Sequence, residues 1–290
     1  MKNKRGLNIP AVPGVLLAII SVQGGAAIAK GIFPVLGAAA TSSLRIVLSA
    51  VILCLVNRPN LRNLSRQQWK MVAMYGVALG AMNLVFYMAI KRIPLGLGVT
   101  LEFIGPLVLA LTGSKRLLDF VWALLAALGI VLIAPWSGNG IDIVGVLLAL
   151  LAGALWAAYI IMGGKISQIM DGNKAVTIGM LFASVLVIPF ALADGIIQNI
   201  TPHLFLLGLV LALLSSAIPF TLEINALKKI PAKTFSILMS VEPAAAALCG
   251  LVFLHEKLTT GEWLAVVLVV TASAGATLSR KKKVATTIDG

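Results

Sequence analysis

Residues 89–106 read AIKRIPLGLGVTLEFIGP, and residues 226–243 read ALKKIPAKTFSILMSVEP. Both begin with Ala, an aliphatic residue, two basic residues and Ile-Pro. Both then run through apolar sequence to a second proline, with a glutamate close before it. Pro94 matches Pro231 and Pro106 matches Pro243 at one offset of 137. Fainter matches keep nearly that spacing, Lys30 with Lys165 and Ala39-Ala40-Thr41 with Ala175-Val176-Thr177. A chain this apolar produces chance matches, so the paired Ile-Pro segments carry most of the weight. They divide the chain into two homologous halves, 1–140 and 141–290.

Hydrophobic residues make up 60% of the chain and charged residues 11%. The charges cluster between apolar runs long enough to cross hydrocarbon, which takes about 20 helical residues. The expected fold is therefore an all-α membrane protein. Ten spans are legible, near 11–30, 37–56, 71–90, 95–114, 118–135, 142–163, 175–194, 203–225, 233–254 and 262–279. The longest connection, 57–70, leaves no room for a separate soluble domain. The net charge of +13 would suggest nucleic acid in a soluble chain; here the basic residues sit in connections, as orientation signals do, and no nucleic-acid partner is expected. Cys54 and Cys249 lie inside apolar runs and read as packing residues. The first apolar run has no cleavage pattern, so it reads as a membrane helix, not a signal peptide.

Nearly all Lys and Arg in the connections and tails fall on the side of the N-terminus; Lys30, Lys91, Arg92 and Lys257 fall on the other. The bias places both termini in the cytoplasm. Each half carries five spans, an odd number, so equivalent helices run in opposite directions. Two inverted five-helix repeats are a usual transporter construction, with the site at the repeat interface near the midplane and two conformations open to opposite sides. Such an assembly carries its own internal symmetry, and a monomer is expected.

Arg45, Glu102, Glu223 and Glu242 fall well inside spans. An ionised group at mid-bilayer costs about 2.5–3.5 kcal/mol on insertion scales, so each should face a cavity or a partner. For Arg45 the choice between function and a structural ion pair stays open. At the common offset Glu102 faces Met239, Glu242 faces Gly105 and Glu223 faces Phe86: the prolines repeat and the acids do not. Scaffold features should recur in both halves, which makes the unrepeated acids the better functional candidates. Pro106 and Pro243 read as lying inside helices, where each frees a carbonyl one turn earlier. Glu102, Glu223 and Glu242 each neighbour such an irregularity, with Pro219 one turn before Glu223. Gln23, Asn83 and Ser236 are lone polar groups in apolar surroundings. Tyr75, Tyr87, Trp156 and Tyr159 are candidates to line a cavity; Trp69, Trp122, Trp136 and Trp263 read as interface anchors.

No phosphate loop, metal-ligand cluster or nucleophile–base pair is present, so neither an enzyme nor a cofactor is expected, and transport energy must come from gradients. A passive facilitator and an intramembrane enzyme are the rival classes.

The stretches SVQGGAAIAKGIFP, YGVALGAMN, IPLGLGVTLEFIGPL, DFVWALLAALG, TLEINALKKIP and TFSILMSVEPAAAALCGLVFL resemble the drug/metabolite transporter superfamily of EamA type. Within it they resemble the bacterial inner-membrane threonine/homoserine exporters, along nearly the whole chain. The resemblance implies export of L-threonine, L-homoserine and related small amino acids through a central cavity between the halves. It carries Gln23, Tyr75, Leu79, Asn83, Glu102, Phe103, Trp156, Tyr159, Glu223 and Glu242 as candidate lining. Exporters of larger metabolites or drugs share this fold and are the alternative. A zwitterion needs a carboxylate for its ammonium, the role expected of Glu102, and a donor for its carboxylate, from Gln23 or Asn83. Glu223 or Ser236 would meet a side-chain hydroxyl. An apolar surrounding favours a neutral carboxylic acid, so Glu102 and Glu242 are the expected proton-coupling groups.

Overall fold

The computed structural model describes residues 10–61, 64–111, 117–133, 142–166, 168–219, 222, 226, 229–230 and 238–279. Among them the regular structure is helical, with no strand. The helices are α1 (Ala11–Leu36), α2 (Ala38–Asn57), α3 (Arg66–Ile90), α4 (Leu95–Glu102), α5 (Ile104–Leu111) and α6 (Leu117–Ile133). There follow α7 (Ile143–Ile166), α8 (Gly172–Ala193), the single turn α9 (Ile196–Asn199) and α10 (Pro202–Ala212), which runs into a π turn at Leu213–Ala217. The last are α11 (Glu242–Leu254) and α12 (Thr260–Ser279).

Six of these helices are long and apolar enough to cross a membrane, and four shorter apolar helical segments accompany them. The protein is a multi-pass membrane protein. Its exterior carries large aliphatic and aromatic side chains such as Leu55, Val56, Phe120, Val185 and Phe253. Small residues fill the helix contacts: Ala27, Ala29, Ala40, Ala89, Ala149, Ala152 and Ala183 are fully buried. That inversion is what a hydrocarbon solvent demands, since burying leucine gains little there and close backbone approach gains contact.

Helix starts follow local chemistry. Ser65 and Gln68 form a reciprocal capping box at α3, and the side chains of Asp171 and Thr201 cap α8 and α10, each accepting an otherwise orphaned N–H. Gly37, at φ +86°, turns the chain between α1 and α2. The first N–H groups of α2 find an acceptor from elsewhere in the chain: Asp194 Oδ2 takes Ala39 N at 2.9 Å and Ala40 N at 3.2 Å.

Two expectations about prolines change. The fourth span is broken at Phe103 into α4 and α5, though Phe103 keeps helical dihedrals and donates to Val99 O at 2.9 Å, and Pro106 stands in the first turn of α5. Pro243 likewise stands in the first turn of α11, not inside a continuous helix. The first turn tolerates proline because its N–H groups lack intrahelical acceptors in any case. The missing N–H of Pro106 leaves the carbonyl of Glu102 without its helical donor, and Pro243 does the same for Met239. The first and third spans run longer than expected, reaching Leu36 and starting at Arg66.

In the bundle α3 packs along α7 and α8, α2 along α8, and α6 along α12. Helix α4 lies between α7 and α11, while α1 packs on α11 and on the π turn. Gly105 and Gly153 bring α5 and α7 to backbone contact: a Cβ built on Gly105 would fall 1.9 Å from the carbonyl oxygen of Gly153.

Polar ties cross between elements at the bundle's ends. Lys30 Nζ lies 2.5 Å from Glu256 Oε1 and donates to Ile93 O at 2.6 Å. Glu256 Oε2 also accepts Leu95 N at 2.7 Å, which caps α4. Arg92 pairs with Asp142 at 2.7 Å, and that hydrogen bond holds the exposed Asp142 carboxyl below the usual carboxylate range.

Candidate functional site

A cavity of about 280 Å³ opens where α1, α2, α3, α4, α7, α8, the π turn and the start of α11 converge. Each element brings what its sequence allows. Helix α1 presents Gln23 just before Gly24-Gly25-Ala26-Ala27, small residues that let the neighbouring π turn approach; a Cβ on Gly25 would meet Ser215 Oγ at 2.4 Å. Helix α3 contributes Leu79, Met82, Asn83, Phe86 and Tyr87 from one face, at helical spacing. Helix α4 contributes Val99 and, at its last residue, Glu102, and α7 contributes Trp156 and Tyr159 at i, i+3. Arg45, Met180, Ser215, Ser216, Met239 and Glu242 complete the wall.

The polar groups form pairs. Gln23 Nε2 donates to Glu242 Oε1 at 3.4 Å, and Gln23 Oε1 is buried without a partner. Arg45 donates through Nη2 to Asn83 Oδ1, and Asn83 Nδ2 donates to Leu79 O at 2.8 Å. The Arg45 guanidinium lies 5.0 Å from the centroid of the Tyr87 ring, in cation–π range. Ser49 and Ser216 hydrogen-bond at 2.9 Å, and Ser21 Oγ donates to Leu214 O at 2.6 Å, so the π turn is tied to α2 and α1. Single π turns inside helices often mark functional sites.

Of the expected residues, the cavity brings together Gln23, Leu79, Asn83, Glu102, Trp156, Tyr159 and Glu242. Tyr75 and Phe103 stand behind it. Tyr75 stacks on Tyr159 at 4.9 Å with their hydroxyls 3.0 Å apart, and Phe103 meets Trp156 edge-on at 5.3 Å. Their contact with the cavity is therefore indirect, through the rings they brace. Glu223 and Ser236 lie outside the described residues. Sequence reasoning singled out Arg45 as a buried charge without placing it here, and it passed over the three methionines and the serine pair. The serines carried a usable signal, two adjacent hydroxyls in an otherwise apolar run; the methionines carried none. Among the described residues no group of His, Cys, Asp and Glu is arranged to hold a metal ion.

One cation, two carboxyl groups, two amides and a few hydroxyls therefore share a space whose remaining wall is apolar and sulfur-rich. Such a site suits a small solute with charges of both signs, because buried charge requires a compensating partner.

The EamA-like transporter family model matches residues 143–278. The chain is 42% identical over 275 residues to the threonine/homoserine exporter RhtA of Escherichia coli (strain K12), a match covering 93% of this chain and 92% of that protein. It is 39% identical over 271 residues to the exporter of the same name from Salmonella typhimurium (strain LT2), again covering 93% and 92%. A protein crystal structure superposes with a TM-score of 0.60 at 18% identity, over 92% of this chain and 96% of that one, a likeness of fold alone.

Proposed function

We propose that this protein, which belongs to the EamA-like transporter family, exports L-threonine, L-homoserine and related small amino acids by proton antiport. The family is one of transporters, not enzymes. The substrate class follows from the names of the relatives, and one observation here carries it: Glu102, Glu242, Gln23 and Arg45 line one small cavity. Pockets for drug-sized ligands span roughly 300–1,000 Å³; about 280 Å³ favours a compact solute over the larger ones.

Glu102 and Glu242 are the proposed proton-coupling groups, each buried and at a helix break. Proton and substrate ammonium would compete for the same carboxyl oxygens, which is the minimal chemistry of antiport. Two inverted five-helix halves, 1–140 and 141–290, remain the proposed architecture. It is supported by pairings between helices at equivalent places in the two halves: α2 with α8, α6 with α12, and α4 with α11. The proposed setting is the bacterial inner membrane, with both termini cytoplasmic and the protein a monomer.

The test is uptake of labelled threonine and homoserine into inside-out vesicles, with and without an imposed pH gradient. Mutual competition, and accumulation that collapses with the gradient, are expected. Glu102→Gln and Glu242→Gln should lose gradient-driven accumulation. Full accumulation in both variants refutes the coupling assignment; equilibration without accumulation in the wild type makes the protein a facilitator. Competition by larger metabolites or drugs at similar concentrations would move it to the broader class.

A further inference from the structure

Arg45 is a buried cation with an unusual set of neighbours. It lies on α2 and lines the cavity with Glu102, whose carboxyl feels its charge, yet among the described residues no carboxylate comes within ion-pair distance of it. Its contacts are the neutral amide of Asn83 and the face of Tyr87. Its Nε is buried with no hydrogen-bond partner, as is the nearby Tyr87 hydroxyl. A guanidinium kept only for packing should end on a carboxylate or satisfy its N–H groups, since an uncompensated buried charge is costly. This one is held in place from two sides while part of its planar fork stays unpaired. The fork matches a carboxylate, which accepts two parallel N–H groups.

We infer that Arg45 binds the α-carboxylate of the transported amino acid, with Asn83 as the positioning residue that fixes its guanidinium. The inference rests on the amino-acid reading above and deepens it. Asn83 uses its oxygen on Arg45 and one amide N–H on Leu79 O, so it orients the cation instead of meeting the substrate carboxylate itself. The acids sharing the cavity, Glu102 and Glu242, are of the charge that would meet the ammonium. Recognition then requires both charges: amino acids whose carboxylate has become an amide or an alcohol should fit the space and still bind weakly.

The test uses ligand-induced thermal stabilisation of the purified full-length protein in detergent, which reads binding without requiring transport. L-threonine, L-homoserine, L-threoninamide and L-threoninol are titrated against wild type, Arg45→Gln and Arg45→Lys. A hydrogen-bonded charge pair predicts that wild type binds threonine at least about ten-fold more tightly than either analogue. Arg45→Gln should weaken threonine by at least that factor and leave the analogues within about two-fold, removing the discrimination. Arg45→Lys should restore part of it. Equal binding of threonine and threoninamide by wild type overturns the inference while leaving amino-acid export standing, and this comparison needs no variant to fold. Discrimination that survives in Arg45→Gln also overturns it. A wild type that responds to neither threonine nor homoserine refutes the amino-acid reading and the inference with it.

Discussion

Gly153→Ala is the substitution whose effect follows most directly from the backbone. Proline at 106 deprives the carbonyl of Glu102 of its helical donor, and α7 passes over that carbonyl with Gly153. A Cβ at 153 would stand 2.4 Å from Glu102 O and 3.1 Å from Glu102 C, against about 3.5–4.0 Å for carbon atoms in good contact. The helices must part by roughly 1 Å, and no side-chain rotation relieves the clash because both partners are main chain. Overpacking of this kind costs about 1–3 kcal/mol, and the rigid contact places it near about 3. Exchanging glycine for alanine within a helix returns about 1 kcal/mol, leaving a net loss of about 2 kcal/mol, or a fall of a few degrees in Tm. Gly164→Ala in the same helix is the control: its Cβ would meet nothing within 4 Å, so it should be neutral or stabilising by up to about 1 kcal/mol. Thermal unfolding in detergent compares the two, and threonine counterflow in proteoliposomes reports whether displacing Glu102 also slows exchange. If Gly153→Ala is as stable as Gly164→Ala and exchanges threonine at the wild-type rate, the close crossing does not exist as described.

Glu256→Gln breaks the contact with Lys30 and weakens the acceptor for Leu95 N; an expected loss near 2 kcal/mol, below the range for fully buried pairs, should be partly recovered when Lys30→Met is added, in a double-mutant cycle of thermal stabilities. Asp194→Ala removes the acceptor for Ala39 N and Ala40 N and should cost about 1–2 kcal/mol, whereas Asp194→Asn keeps an oxygen and should cost less than half as much by the same melt. Tyr75→Phe deletes one hydroxyl contact and keeps the stack on Tyr159, so half-saturation for threonine should shift by less than about five-fold, equivalent to one ordinary hydrogen bond. A larger shift would mean that Tyr75 touches the substrate.

Much of the site was legible because charge is expensive in hydrocarbon. Arg45, Glu102 and Glu242 stand out in apolar sequence for that reason alone, and all three line the cavity. Gln23 and Asn83 were legible in the same way. Where a polar atom would point was not. Asn83 read, alongside Gln23, as a candidate donor to the substrate; its amide bonds to Arg45 and Leu79, a long-range and a local contact that no spacing encodes. Tyr75 and Phe103 read as lining because aromatic composition does not reveal which ring stands in front. The breaks near Pro106 and Pro243 were foreseen as irregularities inside helices. Their position in first turns depended on where the preceding helix stops, and helix ends are decided by packing as much as by local signals.

The π turn at Leu213–Ala217 alters how the rest of its helix can be read. A helical wheel drawn through 203–225 assumes an unbroken step of about 100° per residue, but the wider turn spends one extra residue without advancing a full step. Ile218 and Pro219, which follow it, are therefore rotated by about 100° from their places on that wheel. Chain length, not only side-chain identity, then decides which hydroxyls reach the cavity. Deleting a single residue between 213 and 217 would restore the ordinary winding and withdraw Ser215 or Ser216 from the cavity they line.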